Sequence, residues 1–288
     1  MNRVFDSLKN QTYRDFNWII VDDGSTDNTH AVVKTFIAQA DFEIKYIYKE
    51  NGGKHTAINR ALQETEAELF LIADSDDSFR SDSLEVFVNT WESIPIRERP
   101  QYKGIIAKCY NAETGEEIGR FPQKMFDSND LDALFKLKLR FEKWNIVRTD
   151  VMKEISFPEP DEKLKFYPET VVWCRMARKY KTRYIDEALR GYYRDQENSL
   201  ITRADARSRE TVYLWQYYMN EAMDYLWKSP KYFFQAVIGF SRDCILSGSH
   251  YKAAIKRVNG SGKKMLITCF YPVGFIFALL KKHKCKSV

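Results

Sequence analysis

The chain has few of the residues that break or staple a fold. Among its 288 residues there are 12 Gly, 8 Pro and 5 Cys. So little Gly and Pro excludes collagen-like, linker-like and low-complexity designs. Cys109, Cys174, Cys244, Cys269 and Cys285 lie at least sixteen residues apart, and the four histidines are equally scattered. There is no CxxC and no zinc spacing. An odd, dispersed set indicates reduced thiols in a cytosolic compartment, not a disulfide framework. The start, MNRVFDSLKNQTYRDF, lacks the apolar run of a signal peptide. No internal repeat is found. The most uneven absence is acid. After Asp243 there is no Asp or Glu, but there are nine Lys or Arg out of the 45 in the chain. Residues 1–243 therefore carry 36 basic against 40 acidic side chains, a net −4, and residues 244–288 carry +9. A mildly acidic body and a strongly basic tail suggest two jobs.

What is present is an alternation of strands and helices. Val4, Phe5 and Leu8 fall at helical spacing, and Asn10-Gln11-Thr12 ends that helix. Asn17 to Val21 is a short apolar run fit for a buried strand. It stops at Asp22-Asp23-Gly24-Ser25, where Ser25 or Thr26 can cap a helix bearing Val33, Phe36, Ile37 and Ala40. A second strand over 42–48, a helix over 54–63, a third strand over 68–73 and a helix from about Asp82 follow. Three such alternations predict parallel strands joined by crossover helices. Further strands are expected over 104–110, 143–148 and 183–187, with a hairpin over 111–119 and a helix over 168–180. Beyond 203 the chain reads as helical, with Val212, Trp215, Met219, Ala222, Met223 and Leu226 on one stripe.

Four motifs carry chemistry, and each also has a purely structural reading. Asp74-Ser75-Asp76 ends an apolar strand. Two carboxylates there can hold a hard divalent cation, Mg2+ or Mn2+, beside phosphate. They can equally form a polar strand end that caps the next helix. At the end of the first strand, Asp22 or Asp23 can accept a hydrogen bond from a nucleobase or a ribose, with Gly24 allowing the turn. An Asx-type turn explains the same residues. Glu50-Asn51-Gly52-Gly53-Lys54-His55 can meet phosphate through the Lys54 charge and free backbone N–H groups. It is not a P-loop, and otherwise it is a loop with a solvated lysine. In Phe166-Tyr167-Pro168-Glu169-Thr170, Pro168 suits the first helical position. Glu169 then sits in the first turn, where it can act as a general base or simply stabilise its helix. In open α/β sheets ligands sit beyond the carboxyl ends of the strands, which is where both acidic clusters fall.

Taken in order, VDDGSTDNT over 21–29, NGGKH over 51–55, ADSDD over 73–77 and Glu169 six residues before Arg175 resemble the family 2 glycosyltransferases of GT-A fold. LKNQTYRDF over 8–16 also matches that family's helix and loop before its second strand. The resemblance covers roughly residues 1–200. It implies a Rossmann-like α/β GT-A nucleotide-diphospho-sugar transferase fold over residues 1–202, with a helical, basic C-terminal extension over 203–288. It also implies a nucleotide-sugar donor, a divalent metal and an inverting displacement. On the matching positions, Asp23 stands where the family contacts uracil, with Asp22 beside it. Asp76 stands for the metal-contacting acid, and Asp74 for a residue near the ribose or the metal's waters. Lys54 suits the nucleotide diphosphate, and Glu169 is the expected catalytic base. Trp144 and Asn145 fall where such enzymes shape an acceptor pocket.

The departures from the family matter too. The family begins with an apolar strand ahead of the first helix, whereas this chain starts in that helix. The expectation is a domain short of one central strand, with backbone groups exposed on its neighbours. Tyr193 to Ser199 resembles the family's late Tyr-Arg-x-His segment but carries Gln196 at the histidine. The tail holds sixteen uncharged residues, Met265 to Leu280, flanked by lysines. That is short for a bilayer span, which needs about 20 residues. It suits an interfacial segment gripping anionic lipid through Lys281, Lys282, Lys284 and Lys286, or a packing helix. No aromatic–basic motif points to nucleic acid. The expected activity is an inverting, hexosyltransferase-like, metal-dependent transfer from a nucleotide sugar, most simply UDP-linked, to a glycan or lipid-linked hydroxyl. The expected place is the cytoplasm, peripheral at the inner face of the plasma membrane through residues 263–288. The alternatives are a sugar-phosphate nucleotidyltransferase and a non-catalytic glycan- or membrane-binding remnant.

Overall fold

The computed structural model describes residues 1–193 and 208–284. Two compact units emerge. One is Met1–Lys165 with the described part of Val172–Gln196, and the other is Phe166–Val171 with the described part of Glu197–Val288.

In the first unit, α1 (Asn2–Lys9) buries Val4, Phe5 and Leu8, the apolar face its sequence sets out. Next come β1 (Asn17–Asp23), α2 (Thr29–Gln39), β2 (Glu43–Lys49), α3 (Lys54–Gln63) and β3 (Leu69–Leu71). The chain continues through β4 (Ser78–Phe79), α4 (Ser83–Glu92), β5 (Tyr102–Asn111), β6 (Glu117–Ile118) and β7 (Met125–Ser128). Then follow α5 (Asp130–Phe135), β8 (Lys143–Arg148), α6 (Thr149–Glu154), α7 (Glu169–Met176) and β9 (Lys181–Tyr192). The residues of α7 fall in both units.

The expected single parallel sheet is not what forms. β1 and β2 pair in parallel as a two-stranded sheet, with Asp22 opposite Tyr48 and Asp23 opposite Lys49. β3 instead joins a seven-stranded sheet of order β3-β8-β5-β9-β4, with β6 on β5 and β7 on β9. Only the β5–β9 pair in it is parallel. Strand–helix alternation predicts elements, but not which strand edges meet. β5 lies between β8 and β9, and its first eight residues are buried. The capping expectation at Ser25 or Thr26 also fails. The Asp22 carboxylate accepts the Ser25 N–H at 2.7 Å, which closes a turn. The helix then begins only at Thr29, whose N–H and hydroxyl both donate to Asp27 Oδ1.

The second unit is helical: α8 (Ser208–Glu221), α9 (Pro230–Leu246), α10 (Tyr251–Lys256) and α11 (Ser261–Lys284). The stripe from Val212 to Leu226 is not one helix, because α8 ends at Glu221 and a 3-10 segment spans Met223–Lys228. On α9, Phe233, Val237, Phe240 and Cys244 are buried. Gly274 of α11 lies against it so closely that a Cβ there would sit 2.4 Å from Ser241 Cβ. Asp243, the last acid of the chain, is buried and accepts from Thr211 Oγ1 and Trp215 Nε1, both at 2.8 Å. Ser261–Lys281 is long and apolar enough to cross a membrane, at a mean hydropathy of 1.5. Met265, Phe275, Ile276, Phe277, Leu279 and Leu280 are exposed on it.

Candidate active site

β1 ends on Asp22 and Asp23, and Asp74 follows β3 after Ile72 and Ala73. A pocket of about 660 Å³ lies along the last residues of β1 and the turn after β3, and Met1, Arg3, Asp22, Asp23, Ser75 and Asp76 are among its lining. The two acidic motifs, fifty residues apart in sequence, are thus brought to one cavity. Asp22 is nearly buried there. Its Oδ2 accepts from the Tyr46 hydroxyl at 2.6 Å and its Oδ1 from the Ser25 N–H. Burial alone would lift its pKa, but these two donors outweigh burial and hold the carboxyl below the usual range. The same contact and burial push the Tyr46 phenol up to about 12, burial being the larger cause.

Asp23 has a duty the sequence did not suggest. Its Oδ1 accepts from Lys49 Nζ at 2.6 Å and Gly52 N at 2.9 Å, and its Oδ2 from Gly53 N at 2.7 Å and Asn51 Nδ2 at 3.1 Å. Four donors fill a carboxylate. Asp23 therefore clamps the Asn51–Gly53 loop to the end of β1. Two glycines make the clamp possible. Gly24 has φ +81° with Asn51 N at 2.8 Å from where a Cβ would stand, and Gly53 has φ +94° with Leu164 O at 2.2 Å. The expectation that this loop offers free N–H groups to phosphate is overturned. The Gly52 and Gly53 N–H groups go to Asp23, and the Lys54 N–H goes to Lys165 O at 2.9 Å. What remains is the Lys54 ammonium, which lies 2.5 Å from Asp74 Oδ1. Burial would raise the Asp74 carboxyl, but Lys54 and, less strongly, Arg190 hold it below the ordinary range.

Asp76 shares its turn with Asp77, whose N–H donates to Asp74 O at 3.2 Å. Burial is the main cause that pushes the Asp77 carboxyl up to about 7, with Arg190 opposing and Asp74 and Asp76 adding to it. Arg190 Nη1 lies 3.2 Å from Asp77 Oδ2, and its Nη2 pairs with Glu142. For a divalent cation, the chain offers Asp76 on the pocket wall and Asp74 immediately before Ser75. Among the described residues no group of three or more His, Cys, Asp or Glu gathers. That donor set fits a hard cation that draws most of its oxygens from phosphate and water, as Mg2+ and Mn2+ do.

Glu169 opens α7 in its first turn and is partly exposed. It belongs to the helical unit, whereas Asp22, Asp23, Lys54, Asp74 and Asp76 belong to the other. Trp144 is not a pocket residue. It is buried, stacks on Phe79 with centroids 4.5 Å apart, and donates from Nε1 to Ile72 O at 2.9 Å. It thereby fixes the segment that carries Asp74. The Gln196 position lies outside the described residues. Tyr46, Lys49 and Arg190 were missed. Lys49 lies opposite Asp23 in the β1–β2 register, so a correct pairing of these strands would have found it. Nothing in the sequence around Arg190 marks it.

The model of "Glycosyl transferase family 2" matches residues 1–144, half of the chain, and the chain belongs to that family. It is 36% identical over 137 residues to a teichoic acid poly(glycerol phosphate) polymerase of Staphylococcus epidermidis, covering 43% of this chain and 19% of that protein. It is 24% identical over 221 residues to a GalNAc(5)-diNAcBac-PP-undecaprenol beta-1,3-glucosyltransferase of Campylobacter jejuni, covering 74% and 66%. The chain spans less than a third of the length of the first curated relatives it matches. Among solved structures, S. aureus TarS 1-349 in complex with UDP-GlcNAc aligns at TM-score 0.57 and 16% identity, covering 98% of this chain and 87% of that one. The mannosyltransferase PcManGT of Pyrobaculum calidifontis, in complex with GDP-Man and Mn2+, aligns at TM-score 0.56 and 15% identity, covering 99% and 78%. The fold is that of the GT-A glycosyltransferases with a helical C-terminal region.

Proposed function

We propose that the chain is an inverting, metal-dependent glycosyltransferase. Residues 1–202 form the GT-A domain and 203–288 a basic helical extension. It moves a hexosyl group from a nucleotide sugar, UDP-linked, to a hydroxyl of a glycan or lipid-linked acceptor. The observation that carries this reading is the pocket along the last residues of β1 and the turn after β3, where Asp22, Ser75 and Asp76 line one wall system. The Lys54–Asp74 pair supports it, because a strand end with one cation and several carboxylates suits a diphosphate bridged by metal. The printed ligands of the structural neighbours, UDP-GlcNAc and GDP-Man with Mn2+, support a nucleotide-sugar donor.

Asp76, with Asp74 beside it, would hold Mg2+ or Mn2+, which neutralises charge on the diphosphate. Lys54 exchanges Asp74 for the same diphosphate and adds a second positive charge. Glu169 takes the proton of the acceptor hydroxyl as that oxygen attacks the anomeric carbon. The bond from that carbon to the diphosphate oxygen breaks, and its electron pair leaves with the nucleoside diphosphate. One displacement inverts the anomeric centre. The exposed apolar residues of α11, with Lys263 and Lys264 before them and Lys281 after, support a peripheral contact with anionic lipid at the cytoplasmic face.

The test is UDP binding and turnover in two variants. Asp76→Ala should lose the Mn2+-dependent rise in melting temperature with UDP. Glu169→Gln should keep that rise and lose transfer. Full turnover by Glu169→Gln sinks the base assignment, and a metal-independent response to UDP sinks the metal.

A further inference from the structure

Arg190 is a buried cation on β9, and none of the transfer steps uses it. It stands opposite Phe79 of β4 and Cys109 of β5. β4 begins directly after Asp77, so strand pairing brings Arg190 up to the acidic turn. Its Nη1 lies 3.2 Å from Asp77 Oδ2, and its Nη2 pairs with Glu142, the residue before β8. One guanidinium therefore bridges the turn after β3 to the entry of β8. The bridge is incompletely bonded. Arg190 Nε and Asp77 Oδ2 are both buried and, among the described residues, have no hydrogen-bond partner. The contact with Asp77 is thus an ion pair without hydrogen-bond alignment. Such a pair is a poor stabiliser, because each ion has lost water that its partners do not fully replace. Its presence points to a task other than stability.

The turn itself shows the task. It carries three acids, and two of them are paired: Asp74 with Lys54 at 2.5 Å, and Asp77 with Arg190. Among the described residues the Asp76 carboxylate enters no ion pair, and Asp76 stands on the wall of the acidic pocket. Both flanks of the turn are gripped. Before it, Trp144 of β8 donates from Nε1 to Ile72 O at 2.9 Å. After it, Arg190 of β9 holds Asp77, whose N–H closes the turn on Asp74 O at 3.2 Å. Trp144 also stacks on Phe79, the residue opposite Arg190. Glu142 lies two residues before Trp144, so the Arg190–Glu142 pair ties the two grips together.

We propose that Arg190 is a positioning residue. By holding Asp77 and Glu142 together it fixes the Asp74–Asp77 turn, and it keeps Asp76 as the one acid of that turn open to a divalent cation and its diphosphate. Without Arg190, Asp77 is a buried and unpaired carboxylate, and the turn relieves that cost by carrying it toward water. Asp76 is its neighbour in the chain and moves with it. A binding constellation needs its groups held to within about 0.5 Å, so such a movement is enough to spoil the site. Arginine suits the task better than lysine, because its planar fork meets two carboxylates in a fixed geometry. The fixing of the turn follows from the contacts alone, and its consequence for metal and donor rests on the transferase reading.

Amide hydrogen exchange and UDP binding with Mn2+ test it. Arg190→Met alone should lower the melting temperature, because it strands a buried carboxylate. Adding Asp77→Asn removes that charge and should recover most of the loss. If the pair served stability only, the recovered double variant would keep the turn and the site as they were. Instead, exchange of the Asp77 amide in it should quicken about tenfold while the amides of β5 keep their protection. Its Mn2+-dependent affinity for UDP, read by calorimetry, should fall roughly tenfold or more. Arg190→Lys keeps the buried charge without the fork and should show both changes in the same direction. Unaltered exchange at Asp77 in either variant, or unaltered UDP affinity in the recovered double variant, overturns the positioning role. The exchange measurement needs neither UDP nor metal. If the unsubstituted chain shows no Mn2+-dependent UDP binding, the transferase reading falls, and exchange at Asp77 still decides whether Arg190 holds the turn.

Discussion

Replacing Gly53 by alanine tests the clamp at the foot of α3, and Gly115 provides the matched control. Both glycines have φ in the left-handed region, +94° and +75°. Alanine in that region costs about 1–2 kcal/mol, offset by about 0.4–1 kcal/mol from the stiffer unfolded chain. At Gly115 nothing among the described residues lies within 4 Å of the new Cβ. Gly115→Ala should therefore cost about 1 kcal/mol or less. At Gly53 the Cβ would stand 2.2 Å from Leu164 O and 2.7 Å from Lys165 O, both backbone atoms that no rotamer change removes. The loop must shift, which breaks Gly53 N to Asp23 Oδ2 and Lys54 N to Lys165 O. One of these bonds has a charged acceptor. Together they add about 2–4 kcal/mol. The difference between the variants should be about 3 kcal/mol, roughly a hundredfold in the folded-to-unfolded ratio. Urea denaturation followed by circular dichroism measures it. A difference below about 1 kcal/mol would show that the 164–165 backbone yields easily, and the clamp would then be no constraint on Lys54.

Other consequences are sharper in sign than in size. Asp22 has a lowered folded pKa, so its contribution is present above the unfolded value and is lost as pH falls through the folded one. Asp22→Asn and Tyr46→Phe should each flatten the loss of stability between about pH 5 and 2, seen by thermal melts across that range. Burial pushes the Cys109 thiol up to about 11 and the Cys244 thiol up to about 12, while Cys269 is exposed. At pH 8 iodoacetamide should therefore label Cys269 long before Cys109 or Cys244, read by mass spectrometry. Lys54→Met should weaken UDP binding by about tenfold without moving the melting temperature of the free chain much, because its partner Asp74 remains partly hydrated. Deleting residues 263–288 should move the protein from anionic vesicles to the supernatant in a sedimentation assay. Unchanged recovery with vesicles would remove α11 from the membrane reading.

Where the sequence was legible, one physical signal dominated. The periodicity of apolar residues placed α3 at Lys54–Gln63 and β8 at Lys143–Arg148 without error. It failed where pairing breaks the period. β9 extends to Tyr192 because its register against β5 jumps from Ile185–Ala107 to Ala188–Lys108. Asp186 and Glu187 fall in that jump, and they read in sequence as a strand end. The short β4 and β7 leave no period to detect. At the site, the carboxylates were legible because acid at the end of an apolar strand has no packing reason. Their occupancy was not. Whether Asp23 faces a ligand or the Gly52 and Gly53 amides depends on where Asn51–Gly53 folds back, which no local pattern encodes.

The two-sheet arrangement leaves β3 at a sheet edge and half-buried among the described residues. Leu69-Phe70-Leu71-Ile72 is a continuous apolar run, the composition of a strand covered on both faces and paired on both edges. Among the described residues it has one partner strand, β8, and its three strand residues are partly accessible. Trp18 and Ile19 of β1 show the same mismatch across a cavity of about 440 Å³. Hydrophobicity beyond what the local burial satisfies is evidence about a neighbour. The mismatch occurs on both banks of one cavity, with Trp18 and Ile19 on one side and Leu69 and Leu71 on the other.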